Sequence, residues 1–139
     1  MSLRLLAVIA GLAFAAPAIA DAATKNGITP VAPKAGKTVK TGTKPTFKVR
    51  VRGKGTVWVA VSKSAKRNKD GVITSSEDTF FKRMRKKGGV YQVKATFYDF
   101  PEFWLNSPGT YYWQAYRIDC TGDLDDCKRE GPVVKIRVG

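Results

Sequence analysis

One aromatic run constrains the fold more than any other stretch of the chain. It extends from Pro108 to Ile118 and is written P-G-T-Y-Y-W-Q-A-Y-R-I. The Pro-Gly pair at its start predicts a turn, since proline presets φ and glycine accepts a positive φ. The aromatic residues that follow favour a half-buried strand. Alternation along that strand separates two faces, one with Tyr111, Trp113 and Ala115 toward the core and the other with Tyr112, Gln114 and Tyr116.

Shorter runs with the same two-residue alternation predict further strands. They cover residues 47–52, 56–62, 90–97 and 132–138. The first two are separated only by Gly53-Lys54-Gly55, which predicts a hairpin. Residues 77–87 fit a helix or a strand equally. About seven short strands without a long helical pattern indicate an all-β fold, an antiparallel sandwich of two sheets.

The residues that lead into the aromatic run form the pattern L-x-x-P-G-T-Y, from Leu105 to Tyr111. This pattern resembles the start of the sixth strand in immunoglobulin-like and fibronectin type III domains of bacterial secreted proteins. In such domains a tyrosine here forms a tyrosine corner. The resemblance implies a sandwich of this type over residues 29–139. It also implies a binding role, because most domains with this fold bind partners.

The N-terminal segment has the three regions of a secretory signal peptide. Met1 to Arg4 is a positively charged start, Leu5 to Ala16 is apolar, and Ala18-Ile19-Ala20 supplies the small residues of a cleavage site. We therefore expect residues 1–20 to be removed and residues 21–28 to form a flexible lead. The mature protein should be secreted and should lack a transmembrane segment. The alternative is an uncleaved anchor, although the apolar run is short for a stable span.

The chemistry of the chain argues against catalysis. Cys120 and Cys127 are the only cysteines, and in a secreted chain they predict a disulfide. The sequence contains no histidine, which excludes Ser-His-Asp and Cys-His arrangements. No carboxylate pair lies on a recognisable cleft element, so the sequence predicts neither an enzyme nor a cofactor.

Two segments carry oxygen ligands that could suit calcium. Residues 66–77 place Asn68, Asp70 and Glu77 at EF-hand spacing, but Lys66 stands where the pattern requires Asp. The second segment surrounds the predicted disulfide and contains Asp119, Asp123, Asp125 and Asp126. A surface turn and a solvated acidic loop are the favoured interpretations. No metal site is predicted, and calcium at the second segment stays open as an alternative.

Positive charge is the strongest functional signal. Lysine and arginine number 25 against 11 acidic residues, which gives a formal net charge of +14. One dense cluster consists of Lys82, Arg83, Arg85, Lys86 and Lys87. A second set shares the outer face of one predicted strand, with Lys94 expected on its neighbour, and consists of Lys48, Arg50 and Arg52.

These cations predict adhesion to an anionic wall polymer, to an acidic polysaccharide or, without base specificity, to nucleic acid. The alternative is a structural or protein-partner module whose charge serves only solubility. A further possible contact for a glycan or a partner consists of Trp58, Tyr112 and Tyr116, which should share the other outer face. That face could instead be covered by the segment after residues 56–62 or by the loop after Asp99.

Overall fold

The computed structural model describes residues 23–73, 79–94, 105, 107–120 and 127–139. The predicted signal peptide, residues 1–20, lies outside these ranges. The strands are β1 (Ile28–Ala32), β2 (Thr38–Val39), β3 (Thr46–Val51), β4 (Thr56–Ser62), β5 (Thr79–Arg83), β6 (Arg85–Lys87), β7 (Val90–Lys94), β8 (Gly109–Ile118) and β9 (Lys128–Val138). They form a four-stranded sheet in the order β1-β3-β7-β6 and a five-stranded sheet in the order β2-β9-β8-β4-β5.

The two sheets pack face to face, which confirms the predicted all-β, two-sheet architecture. Phe47 and Val49 of β3 contribute to the core from one sheet, and Val59, Trp113 and Ile136 contribute from the other. All five side chains are fully buried. The rings of Phe47 and Trp113 lie 5.4 Å apart across the interior. Alternation therefore gave the correct inward face for β3, β4, β8 and β9, because each strand has one face toward the core.

The start of β8 has the geometry of a tyrosine corner. The hydroxyl of Tyr111 donates a hydrogen bond to the backbone carbonyl of Ser107, four residues upstream, at 3.1 Å. Two residues further on, Nε1 of Trp113 donates to the carbonyl of Pro33 at 3.1 Å. Both buried aromatic residues thus satisfy their polar atoms with backbone oxygens, as buried Tyr and Trp side chains require.

The topology differs from the sequence prediction in four respects. The described residues contain nine strands where about seven were expected, and β2 pairs with β9 in parallel, so that sheet is mixed. The predicted hairpin of residues 47–52 and 56–62 is wrong, since β3 and β4 belong to different sheets. The valines of β3 and β4 face the core that the two sheets share, so the short turn at Gly53–Gly55 carries the chain from one sheet to the other. Finally, β9 begins at Lys128, four residues before Pro132.

The segment that the sequence left ambiguous is a strand that changes sheets. Residues 79–83 pair with β4 as β5, and residues 85–87 pair with β7 as β6. Met84 lies at the crossing and is 2% exposed, and its backbone N–H donates to the carbonyl of Val57 at 2.8 Å. A buried side chain and a hydrogen bond back to β4 therefore hold the chain where it leaves one sheet for the other.

The domain also begins earlier than the predicted flexible lead allows. Ile28 starts β1 and is fully buried in the core. Just before it, the side-chain amide of Asn26 donates to the carbonyl of Glu130 at 2.8 Å. The backbone N–H of Arg52 donates to the carbonyl of Gly27 at 2.8 Å. These contacts fasten residues 26–28 to strands that are distant in sequence, which a local pattern cannot reveal.

Candidate anion-binding face

The register of the four-stranded sheet gathers cations from three strands on its outer face. Lys48 of β3 lies opposite Gln92 of β7, and Gln92 lies opposite Arg85 of β6. Residues paired across neighbouring strands project from the same face, so these three side chains form one row. Arg50 and Lys94 extend that face along β3 and β7, and Lys87 extends it along β6. We call the five cations Lys48, Arg50, Arg85, Lys87 and Lys94 the cationic face.

The cationic face has no compensating charge on its own strands. None of the four strands β1, β3, β6 and β7 contains an Asp or a Glu. Within the described ranges, none of its five cations takes part in an ion pair. Four of the five side chains are exposed and Lys48 is half-buried. Like charges this close repel one another, so the arrangement favours a counter-charge supplied from outside.

A shallow depression lies at one edge of this face. Its volume is about 550 Å³, and it is lined by Thr46, Arg85, Lys86, Lys87, Gln92, Val93 and Lys94. The depression lies where the short β6 ends: because the chain departs at Met84, β6 pairs with β7 only as far as Gln92, whereas β3 pairs with β7 as far as Lys94. Thr46 and Gln92 add a hydroxyl and an amide to the cations. Sequence reasoning missed both residues, although the strand alternation that identified Lys48 and Lys94 also places Thr46 and Gln92 on this face.

The dense sequence cluster is divided by the sheet crossing. Lys82 and Arg83 belong to β5 of the five-stranded sheet, where they lie opposite Val59 and Trp58. Lys86 lies opposite Tyr91 and so alternates to the other side of β6, although it contributes to the depression. Arg52 is exposed beyond the end of β3. Of the eight cations predicted to bind a polyanion, Lys48, Arg50, Arg85 and Lys87 therefore share the cationic face.

The acidic residues that the structure describes are engaged elsewhere. Asp70 pairs with Lys128 at 3.3 Å, Asp119 with Arg117 at 3.1 Å, and Glu130 with Lys25 at 3.0 Å. Burial favours a higher pKa for Glu130. Hydrogen bonds from its own backbone and from Lys25, with the charges of Lys25 and Arg67, outweigh that effect and lower its pKa. These pairs lie around β8 and β9, so the acidic residues that the structure describes are already paired with cations near those two strands.

The predicted aromatic contact is largely covered. Trp58, Tyr112 and Tyr116 do share the outer face of the five-stranded sheet, but Tyr116 is only 6% exposed and the other two are half-buried. Val72 and Ile73, from the segment after β4, pack over this face and form a second apolar cluster with Ala60 and Tyr116. Tyr116 as an exposed contact is therefore wrong. Burial also raises its pKa to about 12.

Gln114 holds the segment that covers this face in place. We call residues 63–73, which follow β4, the covering segment. Its side chain is fully buried. Its Oε1 accepts a hydrogen bond from the backbone N–H of Ile73 at 2.8 Å, and its Nε2 donates to the carbonyls of Gly71 and Gly131 at 3.1 and 2.8 Å. The amide thus pairs with both the covering segment and β9. The sequence placed Gln114 on this outer face, with cover by the segment after residues 56–62 as one alternative, but it did not identify Gln114 as the residue that holds the cover.

The residues of the calcium candidates have other partners where the structure describes them. Oδ1 of Asn68 accepts hydrogen bonds from the backbone N–H groups of Asp70 and Val72 at 2.9 and 3.0 Å, which is an Asx turn. Asp70 and Asp119 form the ion pairs described above. Glu77, Asp123, Asp125 and Asp126 lie outside the described residues. Among the described residues, no group of three or more potential ligands could hold a metal ion.

The predicted disulfide is confirmed. Cys120 and Cys127 are bonded, with their Cα atoms 4.9 Å apart. The backbone N–H of Asp119 donates to the carbonyl of Cys127 at 2.9 Å, so the link continues the β8–β9 pairing at the base of the loop. No described helix has the length and apolar character needed to cross a bilayer. Comparison with protein-family models and with curated proteins finds no match to this chain.

Proposed function

We propose that this protein is a secreted, non-catalytic binding module that adheres to an anionic extracellular polymer through the cationic face. The observation that carries the proposal is the alignment of Lys48 and Arg85 in one row, flanked by Arg50, Lys87 and Lys94, on strands without acidic residues. The fold needs none of these charges, because the side chains project away from the core.

The spacing of the face suits a repeating polyanion. Side chains two residues apart on a strand are separated by about 7 Å, and neighbouring strands are about 4.8 Å apart. A flexible chain with regularly repeated phosphate, sulfate or carboxylate groups can therefore meet several cations at once. Arginine forms paired hydrogen bonds with such groups, and the Gln92 amide and the Thr46 hydroxyl can add neutral donors beside Arg85 and Lys94.

Two further expectations belong to this proposal. The strand order and the tyrosine corner at Tyr111 support an immunoglobulin-like or fibronectin type III-like domain. The disulfide between Cys120 and Cys127 supports export to an oxidising compartment, in agreement with the signal-like residues 1–20. Binding domains of this architecture commonly act outside the cell, where wall polymers, acidic polysaccharides and released nucleic acid are available.

Salt-dependent binding tests the proposal. Binding of the mature chain to heparin, alginate and polyphosphate should be measured between about 50 and 200 mM salt, a range over which multi-contact polyanion binding weakens strongly. The variant Lys48→Gln/Arg50→Gln/Arg85→Gln should bind more weakly, and the slope of log K against log salt should decrease by about 2–3. The matched control, Lys54→Gln/Lys66→Gln/Lys69→Gln, removes the same charge from exposed loops.

Equal effects of the two variants would mean that only net charge matters. Binding that is insensitive to salt, or absent for all three polymers, would favour the alternative, a structural or protein-partner module whose charge aids solubility. Circular dichroism of each variant confirms that the fold is retained, which is expected because exposed substitutions of this kind change stability by only about 0.5 kcal/mol.

A further inference from the structure

A second basic region lies on the opposite side of the sandwich. Lys135 and Arg137 project from the outer face of β9, because Val134, Ile136 and Val138 between and beyond them are buried in the core. We call these two residues and the neighbouring Lys34 and Lys37 the β9 patch. All four are exposed.

Backbone hydrogen bonds bring the four residues together. The N–H of Gly36 donates to the carbonyl of Lys135 at 2.9 Å, and the N–H of Arg137 donates to the carbonyl of Lys37 at 3.0 Å. The N–H of Lys37 also donates to the carbonyl of Lys34 at 3.1 Å. Residues 27–45 and 131–139, which build the patch, contain no Asp or Glu. Within the described part of the chain, its cations form no ion pair.

The two basic regions are separated by the thickness of the molecule. Packed sheets lie about 10 Å apart. Lys135 and Arg137 project outward from the five-stranded sheet, whereas the cationic face projects outward from the four-stranded sheet. The charged ends are therefore farther apart than the Debye length of about 8 Å at physiological ionic strength. Each region consequently interacts with its own counter-charge, and two polyanion segments bound on opposite sides repel one another weakly.

From this geometry we infer that one molecule bridges two polyanion chains, with one chain on the cationic face and the other on the β9 patch. This inference rests on the proposed function and adds cross-linking to it. A protein with all its charge on one side would coat a polymer, whereas charge on two opposed faces links separate polymers into a network.

A two-step capture assay tests the bridge. Heparin beads are loaded with protein and washed, the bound protein is quantified, and fluorescent heparin is then added. Wild-type protein should capture the second heparin. The variant Lys37→Gln/Lys135→Gln/Arg137→Gln should still load the beads through the cationic face, but capture per bound molecule should decrease about tenfold or more. The variant Lys48→Gln/Arg50→Gln/Arg85→Gln should lose capture in the same way.

The control Lys54→Gln/Lys66→Gln/Lys69→Gln should capture as well as the wild type. Undiminished capture by the β9-patch variant would overturn the bridge and leave adhesion through the cationic face intact. A wild-type protein that does not load the beads would instead overturn the proposed function itself. Sedimentation at the loading concentration should show a monomer, and capture by a dimer only would also overturn the inference.

Discussion

Replacing Gln114 by methionine should detach the segment that covers the five-stranded sheet. Methionine has a similar length and no amide, so the change removes all three hydrogen bonds of the buried side chain. Two of the freed partners, the N–H of Ile73 and the carbonyl of Gly71, lie on the covering segment and can reach water if it lifts. Gly131 is buried, so its carbonyl loses a partner that water cannot readily replace.

The cost follows from these three contacts. Each of the two hydrogen bonds to the covering segment contributes about 1 kcal/mol, and the buried Gly131 carbonyl, left without a partner, costs about 1–3 kcal/mol. Together they predict that Gln114→Met lowers the free energy of unfolding by about 3–5 kcal/mol, a large part of the 5–15 kcal/mol typical of a domain. Urea denaturation followed by tryptophan fluorescence measures the change.

Limited proteolysis tests the local part of the argument. The covering segment contains Lys66, Arg67 and Lys69, and trypsin should cut there in Gln114→Met well before it cuts the wild type. Gln92→Met is the matched control: it makes the same change on the cationic face and should alter stability by only about 0.5 kcal/mol. If Gln114→Met is as stable as this control and as resistant to trypsin as the wild type, the amide does not hold the segment.

Three further outcomes are expected. Trp113→Ala should lower the free energy of unfolding by about 3–5 kcal/mol in urea denaturation; a loss below about 1 kcal/mol would contradict close packing of the indole against Phe47. The variant Cys120→Ser/Cys127→Ser should lower the free energy of unfolding by about 2 kcal/mol while its circular dichroism stays native. Loss of the folded state in this variant would contradict the small contribution expected from so short a disulfide loop. Tyr116 should ionise near pH 12 in an absorbance titration. Because its pKa in the folded state is raised above the unfolded value of about 10, the stability linked to the neutral hydroxyl is complete below about pH 10 and is lost as the pH rises to about 12. The variant Tyr116→Phe should not show this loss.

Alternation along strands predicted much of this fold because it reports a local physical condition. Val49, Val59, Trp113 and Ile136 are buried because one face of each strand meets the core, and the sequence shows that directly. The same reasoning placed Lys48 and Arg50 on an outer face and expected Lys94 beside them, as the register of β3 and β7 confirms.

Contacts between distant segments explain what the sequence did not show. The sequence of β8 does not show whether its outer face is open or covered; in the described part of the chain, Val72 and Ile73 pack over it, and Ile73 lies 41 residues from Gln114. The sheet crossing at Met84 is equally hidden, because no pattern in residues 82–87 separates Arg83 from Arg85. As a result, the sequence identified the cations but could not assign them to the two sides of the molecule.

The parallel pairing of β2 with β9 has a mechanical consequence. When the two ends of the domain are pulled apart and β1 has detached, β2 is drawn toward its first residue and β9 toward its last. Since the strands are parallel, the pull acts along both and loads their hydrogen bonds in shear, all together. The bonds from Gly36 to Lys135, from Arg137 to Lys37 and from Gly139 to Val39 share that load. Stretching single molecules should therefore show one high-force event. The variant Val39→Pro should lower that force, because it removes a core side chain and distorts the pairing of β2 with β9.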